Sequence, residues 1–383
     1  MNFTTALLLA FTTVVSVSCS SPKKQDAEAE INRRVDSVLA LMTLEEKVMQ
    51  VSQTAAWFDF KTKKTNISDE HLAKAKAGLG SFLMVSEASV ARKLQEAAMQ
   101  SRLKIPLIFG FDVIHGYRTT FPIPLAESCT WDTLLAYKSA RIAATEAAAA
   151  GINWAFAPMV DIARDARWGR IVEGAGEDPY LGSLFAKARV RGFQGEDLSA
   201  NNTIAACAKH FAAYGAAEGG RDYNTADISE RTLREIYLPP FKAAVDAGVQ
   251  TVMTSFNEIA GMPSSINKQL LTDILRKEWK FKGFVVSDWE SIDEVVLHGA
   301  AKNYEEAAQK AITAGLDMDM EGESYPKFLA KLVQEKKVSE ETLNQAVRNI
   351  LRVKFRLGLF DNPFKYIDEA REKETMLKPE HRA

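Results

Sequence analysis

The sequence predicts an α/β chain closed into a (β/α)8, TIM-type barrel, and three observations carry that expectation. Short apolar runs of strand length alternate with helical patterns, the order that builds parallel βα units. Nearly every run after the second ends on a polar or ionisable residue: Asp112, Asp161, Lys209-His210, Asn257, Asp288 and then Asp317, Asp319 and Glu321. Strand C-termini around a ring share one mouth, whereas an open doubly wound sheet would gather its site at a single switch point. Length agrees too: such barrels take about 250 residues and can exceed 400 with insertions, and this chain has 383.

Residues 1–21 read as a secretory signal peptide, because 3–19 carry no charge and have apolar centres at Ala6–Phe11 and Val14–Val17. Cys19, followed by Ser20-Ser21-Pro22, resembles a lipoprotein cleavage site. The expectation is export to a periplasm, with Cys19 the candidate point of membrane anchoring. Residues 22–30 read as a polar tether and 31–360 as the barrel.

Within the barrel, Ile31, Val35, Val38, Leu39 and Met42 recur at helical spacing, and Thr43-Leu44-Glu45-Glu46 is a capping box that opens the next helix. Gly78–Ser86 reads as a strand and Val90–Arg102 as a helix, then Ile105–Asp112 as a strand and the Ala-rich Leu134–Ala150 as a helix. The strand Ile152–Val160 ends on Asp161 and is followed by a loop, Arg164–Pro179, too rich in charges and aromatics for a mere connector. Helix Tyr180–Gly192 leads to strand Thr203–Ala208, which runs onto Lys209-His210. Helix Ser229–Ala247, strand Gln250–Ser255 and helix Leu270–Glu278 follow. Gly283 then opens the short buried strand that ends on Asp288. Helix Asn303–Ala314 and strand Gly315–Met320 precede a closing helix from Ser339, its N-cap, to Leu357, with Gly358 as C-cap. These are seven strands, and the eighth is expected within Glu46–Gln53. Residues 361–383 are crowded with charge and thin in apolar groups, the composition of a linker leading away from the barrel.

Composition excludes several functions. Net charge is −2 with acids and bases interleaved, so no basic field exists for nucleic acid. The three cysteines are too few for a disulfide framework, and the five histidines lack metal-ligand spacing. With no glycine-rich phosphate loop either, no metal and no cofactor are expected.

The chemistry centres on Asp288. Alternation places Phe284, Val286 and Asp288 on one face, and a carboxylate ending an apolar face is costly to bury without a partner or a task. Asp112, Arg170, Lys209 and His210 converge with it at strand ends. Three classes fit that set: glycoside hydrolysis with one carboxylate attacking the anomeric carbon, Schiff-base chemistry on Lys209, or a barrel that binds a polar ligand without reaction. Acidic neighbours should keep Lys209 protonated, which disfavours the imine. Trp168 and Trp289 are expected to flank the site, and indole faces pack well on sugar rings.

The segments Phe111–Gly116, Arg164–Arg170, Gly176–Leu181, Lys209-His210-Phe211 and Val286–Trp289 resemble, in order, the motifs of glycoside hydrolase family 3. The stretch Lys209–Asn224 is most similar to its periplasmic bacterial β-glucosidases. That resemblance implies a retaining mechanism on a β-glucoside or β-gluco-oligosaccharide, with Asp288 as nucleophile. It also implies that Asp112, Arg170, Lys209 and His210 grip the glycone in the −1 subsite, lined by Trp289. Ala166 stands where the family usually has Pro, and Phe256 where many members have Tyr. The loop Ala212–Gly215 lacks the His of the single-domain members. In two-domain members the acid/base comes from a following α/β sandwich domain, toward which residues 361–383 would lead. Within the chain, Glu218 and Glu258 are the positional candidates for that role. The alternative is a non-catalytic sugar-binding barrel, which has no need of a carboxylate under the anomeric carbon, or an inactive fragment.

Overall fold

Eight short parallel strands follow one another in chain order around a ring: β1 (Ser52–Ala55), β2 (Ser81–Leu83), β3 (Ile108–Phe111), β4 (Trp154–Ala155), β5 (Cys207–Phe211), β6 (Thr251–Thr254), β7 (Phe284–Val286) and β8 (Asp319–Met320). The computed structural model describes residues 22–382, so the signal-peptide reading of 1–21, with Cys19, lies outside the described residues. One parallel sheet runs in the order β8, β1, β2, β3, β4 and a second joins β5, β6 and β7. Single parallel bridges connect them on both sides, Trp154 with Ala205 and Met159 with Lys209 at one seam, Val286 with Met318 at the other.

Local chemistry sets the elements. Thr43 and Glu46 form the reciprocal capping box, Glu46 N–H donating to Thr43 Oγ1 at 3.3 Å and Thr43 N–H to Glu46 Oε2 at 2.9 Å. Ser339 caps the closing helix Glu340–Arg356 through Thr342 N–H, and Gly358 follows at φ +71°. The helix expected over Ser229–Ala247 is capped by Ser229 but widens to an i→i−5 turn at Leu233–Tyr237, just before Pro239 and Pro240, which have no N–H to continue it. Trp154 fills the barrel. It is fully buried, packs edge-on to Phe156 and Phe284 at 4.8 and 4.9 Å, and donates from Nε1 to Thr251 Oγ1 at 2.8 Å.

Three expectations are corrected. The first strand is Ser52–Ala55, because Leu44–Gln50 completes the helix that the capping box opens. A hairpin of Trp57–Asp59 and Lys64–Asn66 follows β1 at the mouth. Residues 22–30 belong to a helix, Pro22–Leu39, and Glu28 pairs there with Arg356 of the closing helix. The charge-rich residues after 361 fold back on the barrel instead of leaving it. Tyr366 and Ile367 are buried, Arg371 donates to the carbonyls of Ala148 and Tyr366, and helices form at Glu369–Thr375 and Pro379–Arg382. Buried Glu146 receives Leu377 N–H at 3.0 Å and sits 2.8 Å from His381 Nδ1.

Candidate active site

Asp288 lies just past β7, where Trp289 N–H donates to its Oδ1 at 2.7 Å. Its Oδ2 is buried and accepts no hydrogen bond. Opposite, four strands away in the ring of eight, Asp112 ends β3 and takes Lys209 Nζ on Oδ1 at 2.8 Å. Lys209 and His210 are neighbours on β5, and regular alternation would send them to opposite faces. The β5–β6 register shifts between Ala208 and Phe211, and that irregularity lets both side chains reach the same mouth.

His210 is the hub. Its backbone N–H and Nδ1 lie 2.8 and 2.9 Å from Asp161 Oδ2, and Arg170 Nη2 lies 3.1 Å from Nε2. Burial, with Arg170 and Lys209 adding to it, holds the imidazole far below its ordinary pKa. The neutral ring therefore donates from Nδ1 to Asp161 and accepts from Arg170 on Nε2, a tautomer assigned from these partners. Asp288 Oδ2 sits 3.4 Å from that same Nε2 and gets no proton from it. An unpartnered carboxylate oxygen results.

The charges around Asp288 work against its burial. Burial pushes the carboxyl up to about 6, while Lys209, the Trp289 N–H and Arg170 pull it back. Burial pushes Lys209 down, but the charges of Asp112, Glu173 and Asp288 together outweigh it and hold the ammonium above its ordinary range. Arg170 is clamped by Glu173 through contacts of 2.7 and 3.1 Å and stays charged.

The structure thus brings Asp112, Arg170, Lys209, His210 and Asp288 together, with Trp289 37% exposed at the rim. Trp168 does not flank the site. It is buried beneath it, edge-on to Tyr214 and donating from Nε1 to Asp222 at 2.8 Å. Asp317 faces outward to Arg276 and Asn349, and Asp319 takes Tyr325 N–H, so neither joins the cluster. Asp161, Glu173 and Tyr214 are the members that sequence reasoning missed. Asp161 was visible as a strand-end carboxylate, whereas Tyr214, edge-on to His210 at 5.1 Å, gave no signal. Tyr223 packs on Phe256 at 4.2 Å.

Of the candidate proton donors, Glu218 is exposed and Glu258 accepts from Thr225 Oγ1 at 2.6 Å. Glu294, on the short helix after Asp288, is pushed up to about 7 by burial and by the charges of Asp288 and Glu290. Among the described residues no three His, Cys, Asp or Glu side chains converge to hold a metal ion.

Residues 43–353 match the model of the glycosyl hydrolase family 3 N terminal domain. The chain is 40% identical over 335 residues to a periplasmic beta-glucosidase of Salmonella typhimurium, covering 87% of this chain and 43% of that protein. A lysosomal beta glucosidase of Dictyostelium discoideum is 34% identical over 382 residues, with 90% and 46% covered. Among solved structures, a beta-glucosidase from Listeria innocua in complex with glucose superposes with a TM-score of 0.85 at 42% identity, covering 92% of this chain and 50% of that one. The chain spans about half the length of these relatives.

Proposed function

Because the chain belongs to glycosyl hydrolase family 3, we propose that it is the catalytic barrel of a retaining β-glucosidase that releases terminal β-linked glucose. Asp288 Oδ2 attacks the anomeric carbon as the glycosidic C–O bond breaks, and water then hydrolyses the glycosyl ester with retention. Asp112 accepts sugar hydroxyls, Lys209 and Arg170 donate to them, His210 holds the floor of the subsite, and Trp289 packs on the ring. The observation that carries this reading is the unpartnered Asp288 Oδ2, set across the ring from the Asp112–Lys209 pair. A barrel that only bound sugar would have no use for such an oxygen, and leaving it without a donor costs stability.

The leaving-group oxygen needs a proton, and in this reading a following domain, not the barrel, supplies it. Residues 31–360 form the catalytic barrel in this reading, 1–21 the export signal and Cys19 the lipid anchor, while the segment after 361 packs back on the barrel. A periplasmic location is supported by the name of the Salmonella relative. No helix among the described residues is long and apolar enough to cross a membrane.

The test is a dinitrophenyl β-glucoside, whose leaving group needs no proton, assayed with and without azide and beside cellobiose. The expected result is release of dinitrophenolate, faster turnover with azide, and slow cellobiose hydrolysis, because general acid assistance is worth about 10²–10⁴-fold. Brisk cellobiose hydrolysis would place the proton donor within these residues, with Glu294 first in line. No reaction of the folded protein with the activated glucoside would refute the assignment.

A further inference from the structure

A second recess of about 620 Å3 opens at the mouth on the Asp112 side. Phe58 and Phe60 of the hairpin after β1, Phe111 and Asp112 at the end of β3, and Tyr117 and Arg118 of the next loop line it, while Asp288 and Trp289 do not. Its walls are aromatic. Phe58 meets Phe111 edge-on at 5.5 Å, Phe111 meets Tyr117 at 5.9 Å, and the Arg118 guanidinium lies 4.9 Å from the Tyr117 ring centroid.

The walls are also tied together. Thr65 Oγ1, on the hairpin, donates to Met84 O at 2.7 Å and accepts Ser86 N–H at 3.1 Å. The Tyr117 hydroxyl donates to the Ser86 carbonyl, which joins the β3 loop to the β2 loop. Beneath them the fully buried Glu146 accepts Arg118 N–H at 2.9 Å and Thr119 N–H at 2.7 Å. A recess ordered on folding demands little further ordering when a ligand enters.

Orientation says what would enter it. Asp288 follows β7 and Asp112 follows β3, on opposite sides of the ring. In a pyranose C1 and C4 are opposite corners, so a sugar with C1 at Asp288 presents its C4–C6 edge to Asp112. Whatever is attached to O4 or O6 then faces the recess. Aromatic faces combined with charged hydrogen-bonding groups suit a sugar better than a lipid or an anion. We propose that this recess is a subsite for a second sugar residue carried on O4 or O6 of the bound glucosyl unit, so that the protein also cleaves glycosides of disaccharides and releases the disaccharide whole. The chemistry is unchanged: the C1–O bond of the inner unit breaks, Asp288 takes C1, the leaving oxygen takes a proton, and water frees the disaccharide. The inference rests on Asp288 being the nucleophile.

It is tested with 2-deoxy-2-fluoro-β-glucosyl fluoride and its 4-O- and 6-O-glucosylated counterparts. In each, C1–F breaks, fluoride leaves, and an ester forms on the carboxylate. At least one disaccharide reagent should add two sugars to the peptide that contains Asp288. Phe60→Ala, at a side chain 71% exposed, should lower the ratio of disaccharide to monosaccharide labelling rates by about tenfold, the scale of one aromatic contact. Labelling by the monosaccharide alone, or a ratio that Phe60→Ala leaves unchanged, overturns the subsite and leaves the nucleophile standing. Labelling by none of the three removes the nucleophile and the subsite together.

Discussion

Replacing Lys209 by Met removes a charge and keeps the apolar stem. Lys209 is buried with its Nζ 2.8 Å from Asp112, but the Asp112 side chain is 50% exposed. Water can therefore take the place of the lost ammonium, and the fold should lose less than the 3–5 kcal/mol typical of breaking a fully buried pair. The site loses more. Loss of a charge-assisted contact to a sugar hydroxyl is worth about 2–4 kcal/mol in the transition state, roughly 30- to 1000-fold in rate. Lys209 is also the strongest influence opposing the burial that raises Asp288 to about 6. Without it the Asp288 carboxyl holds its proton to higher pH, and a protonated carboxyl cannot attack. The assay is inactivation by a 2-deoxy-2-fluoro glucoside, followed from about pH 5 to pH 8, the range across the Asp288 titration. The variant should inactivate more slowly, with its acid limb displaced to higher pH. An unmoved limb and an unchanged rate would refute the argument, and an adduct on Lys209 after borohydride treatment with a carbonyl substrate would replace it with imine chemistry.

Two further outcomes concern groups buried away from the mouth. Lys354 is fully buried with Gln50 Oε1, 2.8 Å away, as its hydrogen-bond partner, and burial depresses it to about 7. Between that value and about 10.4 the unfolded chain binds a proton that the folded one does not, so stability rises with pH through that window. Lys354→Met should flatten the rise and raise Tm at about pH 6, where the charged lysine carries its full burial cost; a lower Tm there would contradict this. Glu146→Gln puts an NH2 group among the backbone donors of Arg118, Thr119 and Leu377. It should cost about 1–3 kcal/mol and speed trypsin cleavage between Arg371 and Lys378, and equal digestion rates in thermal-shift-matched conditions would argue that Glu146 does not hold the C-terminal segment.

The barrel was legible because strand-length apolar runs recur between helical patterns and end on ionisable residues, and a ring converts those ends into one mouth. Asp112, Lys209, His210 and Asp288 were found for that reason. The strand irregularity that aims both Lys209 and His210 at the mouth was not legible, because alternation assumes a regular pleat. The C-terminal segment was misread because composition counts charges without their partners. Leu377 and His381 meet Glu146 more than two hundred residues away in sequence. Trp168 looked like a sugar platform beside Arg170, yet its indole is buried with Nε1 spent on Asp222. The aromatic hairpin after β1 carries exposed Trp57 and Phe60, a pattern with no apolar periodicity to read.

The central claim is that Asp288 forms the covalent bond to sugar. A 2-deoxy-2-fluoro glucoside with a good leaving group, incubated with the protein and followed by peptide mass spectrometry, tests it most directly. The expected result is a mass gain of one fluorosugar on the peptide containing Asp288, absent from an Asp288→Asn variant shown to be folded. Labelling that persists unchanged in that variant, or that falls on any other residue, would contradict the account.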